Sequence, residues 1–333
     1  MFSAARAVAR SIVPALAIAT VAGLGLATNV AHGPAIRLVD GSNPLAGQSF
    51  YADPGSAAMA AARNASPPSP QLTAIANTPA AYWLDQAFPA GSVGARVASY
   101  AGAAQGAGSM PIFALYAIPH RDCGSYASGG FSSGADYRAW IDSISAGLGG
   151  SPAVLIVEPD ALDMADCLTG DQRQERFDLI RYAVDTLTGN PAAVVYVDGG
   201  HSRWLSAQEI SNRLNQVGVS RARGFSLNTS NFFSTDEEIG YGEAISGMTG
   251  GSHYVIDTSR NGVGPAADSA LSWCNPSGRA LGAPPTTATA GAHSDAYLWI
   301  KRPGESDGSC NGGPAAGHFV SQYAIDLAQN AGQ

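Results

Sequence analysis

Short apolar runs recur along this chain, and their length and spacing restrict the fold more than any other feature: PIFALYAI (111–118), AVLIV (153–157), AVVYV (193–197), Phe225 to Leu227, HYVI (253–256) and AYLWI (296–300). Runs so short and so uniformly apolar read as strands buried on both faces, as in a parallel sheet. Amphipathic stretches lie between them. Over Asp171 to Leu187, Phe177, Ile180, Val184 and Leu187 share one helical face, and Ser206 to Val217 does the same with Ile210, Leu214 and Val217. Strand then helix, repeated, implies an α/β barrel or a doubly wound sheet. No GxGxxG opens a helix and no Walker motif is present, which argues against a nucleotide fold and favours the barrel.

Several of these runs lead straight into acids: Arg121-Asp122-Cys123, Glu158-Pro159-Asp160, Asp198-Gly199-Gly200-His201 and Gly304-Glu305-Ser306-Asp307. In a parallel barrel the carboxyl ends of strands face one mouth, so these side chains are expected to converge. Any one such aspartate reads first as a turn or helix cap; the same placement four times over reads as a site. Carboxylates held together raise one another's pKa, which keeps one of them protonated as a general acid. Glu158 is the weakest of the set, since it stands at the strand end itself and reads as loop support. Tyr51, Tyr116, Trp204 and Trp273 stand near the acids as candidate platforms for sugar rings. The chain has 17 arginines but a single lysine, Lys301. A lone lysine beside Glu305 and Asp307 suggests a site that needs a compact ammonium head, against the plainer reading of a surface lysine.

Composition narrows the partners. Net charge is −8 with only 13% charged residues, which offers no positive field to nucleic acid or anionic lipid and suits a neutral substrate. Residues 1–31 read as an export signal: Arg6 and Arg10, the apolar run Ser11 to Ala27, then small residues fit for cleavage near Ala27 or Ala31. An uncleaved anchor is the alternative, weakened by Pro14 and several glycines. The rest, 40–333, is expected to be one domain, with Gly-, Ser-, Pro- and Ala-rich loops at 101–110, 124–135 and 283–293. An exported chain favours disulfides. Cys123, Cys167, Cys274 and Cys310 allow three pairings, and the local ones, Cys123 with Cys167 and Cys274 with Cys310, are favoured because each closes a loop beside an acidic motif. No CxxC or clustered histidine spacing supports a metal site. The competing classes are a metal-assisted hydrolase using the same carboxylates and a binding protein that keeps the cleft without turnover.

LYAIPHRDCGSYASGG (115–130) and VLIVEPDALDM (154–164) resemble the two signature segments of glycoside hydrolase family 6, the endoglucanases and cellobiohydrolases. The resemblance continues through NPLAGQSFYADP (43–54), IANTPAAYWL (75–84), VDGGHSRWL (197–205), SLNTSNF (226–232), DTSRNGVGP (257–265), SWCNP (272–276) and WIKRPGESDG (299–308). It implies a modified, distorted, seven-stranded parallel α/β barrel forming one catalytic domain without a carbohydrate-binding module. It implies Asp160 as general acid, with Asp122 keeping it protonated and relaying a proton from the attacking water through Ser128. Asp307 is the other candidate base, and Tyr116 would hold the distorted sugar. Tyr51 and Trp273 would stack sugars on the non-reducing side and Trp204 on the reducing side. His201, Asn231, Lys301 and Glu305 would bind hydroxyls, and Asp198 would organise the floor. His120 departs from the Gln of many bacterial members. Short loops after Cys274 and Cys310 imply an open cleft. The expected protein is therefore a secreted, monomeric, inverting endo-β-1,4-glucanase that needs no cofactor, with an exo-acting cellobiohydrolase or a weak glucan-binding protein as alternatives.

Overall fold

The computed structural model describes residues 42–332; the expected export signal lies outside them. Seven parallel strands, β1 (Tyr82–Leu84), β2 (Ile112–Leu115), β3 (Ala153–Val157), β4 (Ala193–Asp198), β5 (Gly224–Leu227), β6 (His253–Asp257) and β7 (Ser294–Leu298), pair in sequence order. The helices are α1 (Ala57–Asn64), α2 (Pro70–Ala76), α3 (Ala90–Gly106), α4 (Gly134–Leu148), α5 (Gly170–Leu187), α6 (Ala207–Gln216), α7 (Thr235–Met248) and α8 (Ser321–Asn330). Most begin at a Ser whose hydroxyl accepts a free first-turn N–H, as Ser133 does for α4 and Ser206 for α6. α5 begins with a full capping box between Thr169 and Gln172.

Alternation along the strands divides two cores. Phe113, Leu115, Leu155, Val157, Val195, Val197 and Ile256 face the helices, whereas Ile112, Ala114, Val154, Ile156, Val194, Tyr196 and Leu298 fill the inside of the curled sheet. Both faces are therefore apolar, which is why the strands read as continuous runs. The sheet curls until its edges approach: the Ala81 N–H donates to the Trp299 carbonyl at 2.9 Å, and the Trp83 indole N–H to that of Ile300 at 2.8 Å. This is the distorted seven-stranded barrel.

Two expectations shift. The strand β1 was hidden because three residues are too few to show a period. The stretch 101–110, read as a loop, is helical through Gly106. Within that stretch Ala101 and Ala104 are buried on the inner face of α3, while its tight approach to α4 comes earlier, where a Cβ at Gly147 would stand 2.3 Å from the Gly94 carbonyl oxygen. Composition suggested a loop, but small residues that bury one face of a helix have the same composition.

At the amino ends of the strands, buried Asp295 accepts hydrogen bonds from the Tyr196 hydroxyl and the Arg223 guanidinium, both at 2.7 Å. That end is tied shut. Among the described residues no helix is long and apolar enough to cross a membrane.

Candidate active site

The carboxyl ends of the strands open into a cleft of about 1010 Å³. The chain turns sharply there: His120, Asp122 and Cys123 after β2, Glu158 and Asp160 after β3, and Asn228 and Ser230 after β5 all have φ between 49° and 67°. Non-glycine residues with positive φ persist where surroundings over-determine them. Glu158 supplies part of that constraint. Its buried carboxylate accepts the N–H groups of Ala117 and Ile118, each at 3.1 Å, tying the β3 turn to the β2 loop. Burial raises its pKa to about 7. Arg176 of α5 clamps the same two loops from behind, donating to the carbonyls of Ala161 (3.1 Å), Pro119 (3.1 Å) and His120 (2.7 Å). A Cys123–Cys167 disulfide closes this region, and a Cys274–Cys310 disulfide closes the loops across the cleft.

Asp160 reaches the cleft from the β3 turn. Burial, then the charges of Asp198 and Asp122, hold its pKa well above the usual carboxylate range. No protein group hydrogen-bonds its carboxyl among the described residues. Asp198 beside it is the opposite. One carboxylate oxygen accepts the Asp160 N–H (3.0 Å) and the Gly200 N–H (3.1 Å), and the other accepts the Ser226 (2.8 Å) and Thr229 (2.7 Å) hydroxyls. Burial raises the pKa of Asp198 too, but four donors hold the pair's negative charge on Asp198 and leave the proton on Asp160. Asp122 lines the cleft with one oxygen bonded to the Ala127 N–H at 2.7 Å, and burial raises its pKa.

The wall beyond β7 carries the cations. Asp307 lies 3.1 Å from the Lys301 ammonium and 2.8 Å from the fully buried Arg260 guanidinium, and it also accepts the Asn275 N–H at 2.9 Å. Burial pushes its pKa up, but Arg260 and Lys301 outweigh that and bring it below the usual range. Lys301 is buried rather than a surface lysine. Glu305 stands next to it, with Arg302 Nε 2.8 Å away in a contact that is electrostatic and not a well-directed hydrogen bond.

Aromatic groups complete the cleft. Tyr116 lies under the Arg121 guanidinium at 4.3 Å, with the Trp83 ring edge-on at 5.3 Å. His201 stacks on Phe233 at 4.3 Å and meets Trp204 at 5.3 Å; burial lowers its pKa to about 4, so the ring is neutral over the ordinary range. Trp204, Asn231, Trp273 and Ser128 also line the cleft. One expected residue does not. Tyr51 is packed into the outer core, its ring edge-on to Tyr100 at 5.2 Å, because its N–H is bonded to the Met110 carbonyl beside β2. Asp198 sits beneath the surface and acts through the Asp160 backbone.

Residues 45–331 match the family model described as glycosyl hydrolases family 6. The chain belongs to glycosyl hydrolases family 6. Among family relatives, Endoglucanase A of Cellulomonas fimi is 46% identical over 85% of this chain, which spans 61% of that protein's length. Endoglucanase 1 of Streptomyces halstedii is 39% identical over 84% of this chain and 88% of its own. The endoglucanase Cel6 from Mycobacterium tuberculosis, solved in complex with methyl-cellobiosyl-4-deoxy-4-thio-β-D-cellobioside, is 76% identical with a TM-score of 0.87, covering 88% of this chain and all (100%) of that one.

Sequence reasoning missed several groups in this family 6 site. Asp257 ends β6 as Asp198 ends β4, and its carboxylate accepts the N–H groups of Lys301 (2.8 Å), Ser259 (2.9 Å) and Ser230 (3.0 Å). The strand-then-aspartate rule applied to HYVID would have found it. Arg260 and Arg176 gave no such signal, since nothing local marks an arginine that folds inward. Tyr126 lines the cleft as well, and nothing in its sequence neighbourhood separates it from a loop tyrosine.

Proposed function

We propose that this family 6 chain is an inverting endo-β-1,4-glucanase whose general acid is Asp160. The observation that carries the reading is the division of labour between neighbouring carboxyls. Asp160 faces the cleft, protonated and free of protein partners, while Asp198 beneath it holds the charge with four donors. An acid so arranged can give its proton to a glycosidic oxygen as the C–O bond breaks. A water attacks the anomeric carbon from the opposite face and loses its proton in turn, and with no glycosyl–enzyme bond the configuration inverts. Asp122, which lines the cleft together with Ser128, is the better acceptor for that proton, because Asp307 is neutralised by Arg260 and Lys301.

Trp204 and Trp273, each 37% exposed, are suited to stack pyranose faces. His201, Asn231, Lys301 and Glu305 present donors and acceptors for hydroxyls. Tyr116, its pKa far above the usual phenol range through burial, remains a neutral donor beside Asp160. The names of the relatives support glucan cleavage at internal bonds. Two disulfides fit a protein that acts outside the cell after losing residues 1–31.

The test uses carboxymethylcellulose and soluble cello-oligosaccharides. Viscosity should fall steeply before much reducing sugar appears, and proton NMR of fresh cleavage should show the α-anomer first. A β-anomer formed first would rule out inversion, and cellobiose release at unchanged viscosity would rule out endo action.

A further inference from the structure

One charged side chain of the cleft has no part in the chemistry above. Arg203, from the loop after β4, lines the cleft beside His201 and Trp204. Its guanidinium is held in place twice over: Nε and Nη2 donate to the two carboxylate oxygens of Glu237 in the first turn of α7, at 2.7 and 3.0 Å, and Cζ stands 5.1 Å from the centre of the Phe233 ring. Phe233 is itself fixed. Its N–H donates to the Asn228 side chain, its carbonyl accepts from the amides of Asn228 and Asn261, and its ring carries His201 at 4.3 Å. The remaining nitrogen of Arg203, Nη1, hydrogen-bonds no protein group among the described residues, and the side chain is 51% exposed.

The loop does not need Arg203 to keep its place. Ser202 already ties it to α7, its N–H donating to Glu238 at 3.0 Å and its hydroxyl to Glu237 at 2.8 Å, and an exposed ion pair adds little to the stability of a fold. What the Glu237 pair supplies is a fork fixed in advance. An arginine held in one orientation gives up little further side-chain freedom when a ligand meets its outward N–H groups. The surrounding charge selects that ligand. Glu237 neutralises the guanidinium and Asp268 adds a negative charge through space, so an anion gains nothing here, whereas a neutral hydroxyl can accept from Nη1. Trp204, next in the chain and 37% exposed, offers the apolar face that a hydroxyl-bearing ring requires.

Resting on the glucanase reading, we propose that Arg203 is a sugar-binding residue on the reducing side of the cleft: held by Glu237, it donates from Nη1 to a hydroxyl of a glucose unit lying on or just beyond Trp204. It adds affinity for chains long enough to cover Trp204 and biases the register in which a short chain is cut. Glu237 and Phe233 act through it as positioning residues.

The experiment compares wild type with Arg203→Met, which keeps most of the stem, Arg203→Lys, which keeps the charge without the fork, and Ser202→Ala, which loosens the same loop and leaves the fork. Thermal midpoints check that each variant is folded. In an Asp160→Asn background, calorimetry with cellohexaose should show binding weakened about three- to tenfold in both arginine variants, the scale of one hydrogen bond, and close to wild type in Ser202→Ala. In the active protein, cellopentaose isotope-labelled at its reducing end should release shorter labelled fragments from Arg203→Met than from wild type, since sugars beyond Trp204 lose a contact. Unchanged affinity in Arg203→Met overturns the proposal, and full affinity in Arg203→Lys overturns the role of the fork. A loss in Ser202→Ala equal to that in Arg203→Met overturns the contact, because loop anchoring would then explain both. A loss confined to carboxymethylated glucan and abolished by salt overturns the neutral-sugar assignment. Failure of the wild type to cleave any glucan sinks the enzyme reading instead, and the calorimetric comparison still tests whether Arg203 holds a sugar.

Discussion

Asp160 and Asp307 are the same side chain at the same place in the fold, the first loop beyond a parallel strand, and the protein drives them in opposite directions. Asp160 is surrounded by burial and by other carboxyls, Asp198 and Asp122, and keeps its proton. Asp307 is as deeply set but faces Arg260 and Lys301, and it surrenders its proton more readily than a free aspartate. Residue type and topological position therefore do not fix a catalytic role. The sign of the neighbouring charge does, once burial has removed the water that would screen it.

The largest effect that would sharpen this contrast is on chemistry. Asp160→Asn removes a proton donor without removing a contact surface, so kcat on unactivated glucan should drop by about 10²–10⁴-fold while cellohexaose binding, read by calorimetry, stays close to wild type. A near-normal rate would mean that the acid is elsewhere.

The next test attacks the other side. Arg260→Met would leave Asp307 buried with one cation instead of two. Removing one partner of a buried pair costs about 3–5 kcal/mol, to be read as a loss in unfolding free energy with denaturant. The pH dependence has a definite sign. The folded pKa of Asp307 lies below the unfolded value of about 3.9, so its contribution to stability is fully present above that value and disappears as pH falls through the folded pKa. In Arg260→Met the folded value moves up and that contribution shrinks. Unaltered acid stability in the variant would show that Lys301 alone holds Asp307 ionised.

The smallest effect is a displacement of a pH profile. Asp122→Asn deletes a negative charge that raises the pKa of Asp160, so Asp160 should lose its proton at lower pH and the alkaline limb of kcat/KM should move toward acid. His201, neutral because burial has lowered its pKa to about 4, should add no limb between pH 5 and 8 in either protein. A fixed alkaline limb in Asp122→Asn would confine Asp122 to handling the water.

Period and composition determined much of this protein. Uniform apolar runs produced the buried parallel strands because a two-sided sheet admits no polar alternation, and the acids after them converged because parallel strands end on one rim. The local cysteine pairs matched the disulfides, since each closes a loop next to the rim. The resemblance added which acid to single out, and the family assignment agrees with it. Tertiary structure decided what depends on residues distant in the chain. Arg260 reaches Asp307 across 47 positions, Tyr126 meets Trp273 only because two stapled loops lean together, and Tyr51 lies in the core although its motif suggested a platform. A side chain's chemistry is carried by the sequence, but its charge state and reach are set by neighbours that only the folded chain brings within a few ångströms.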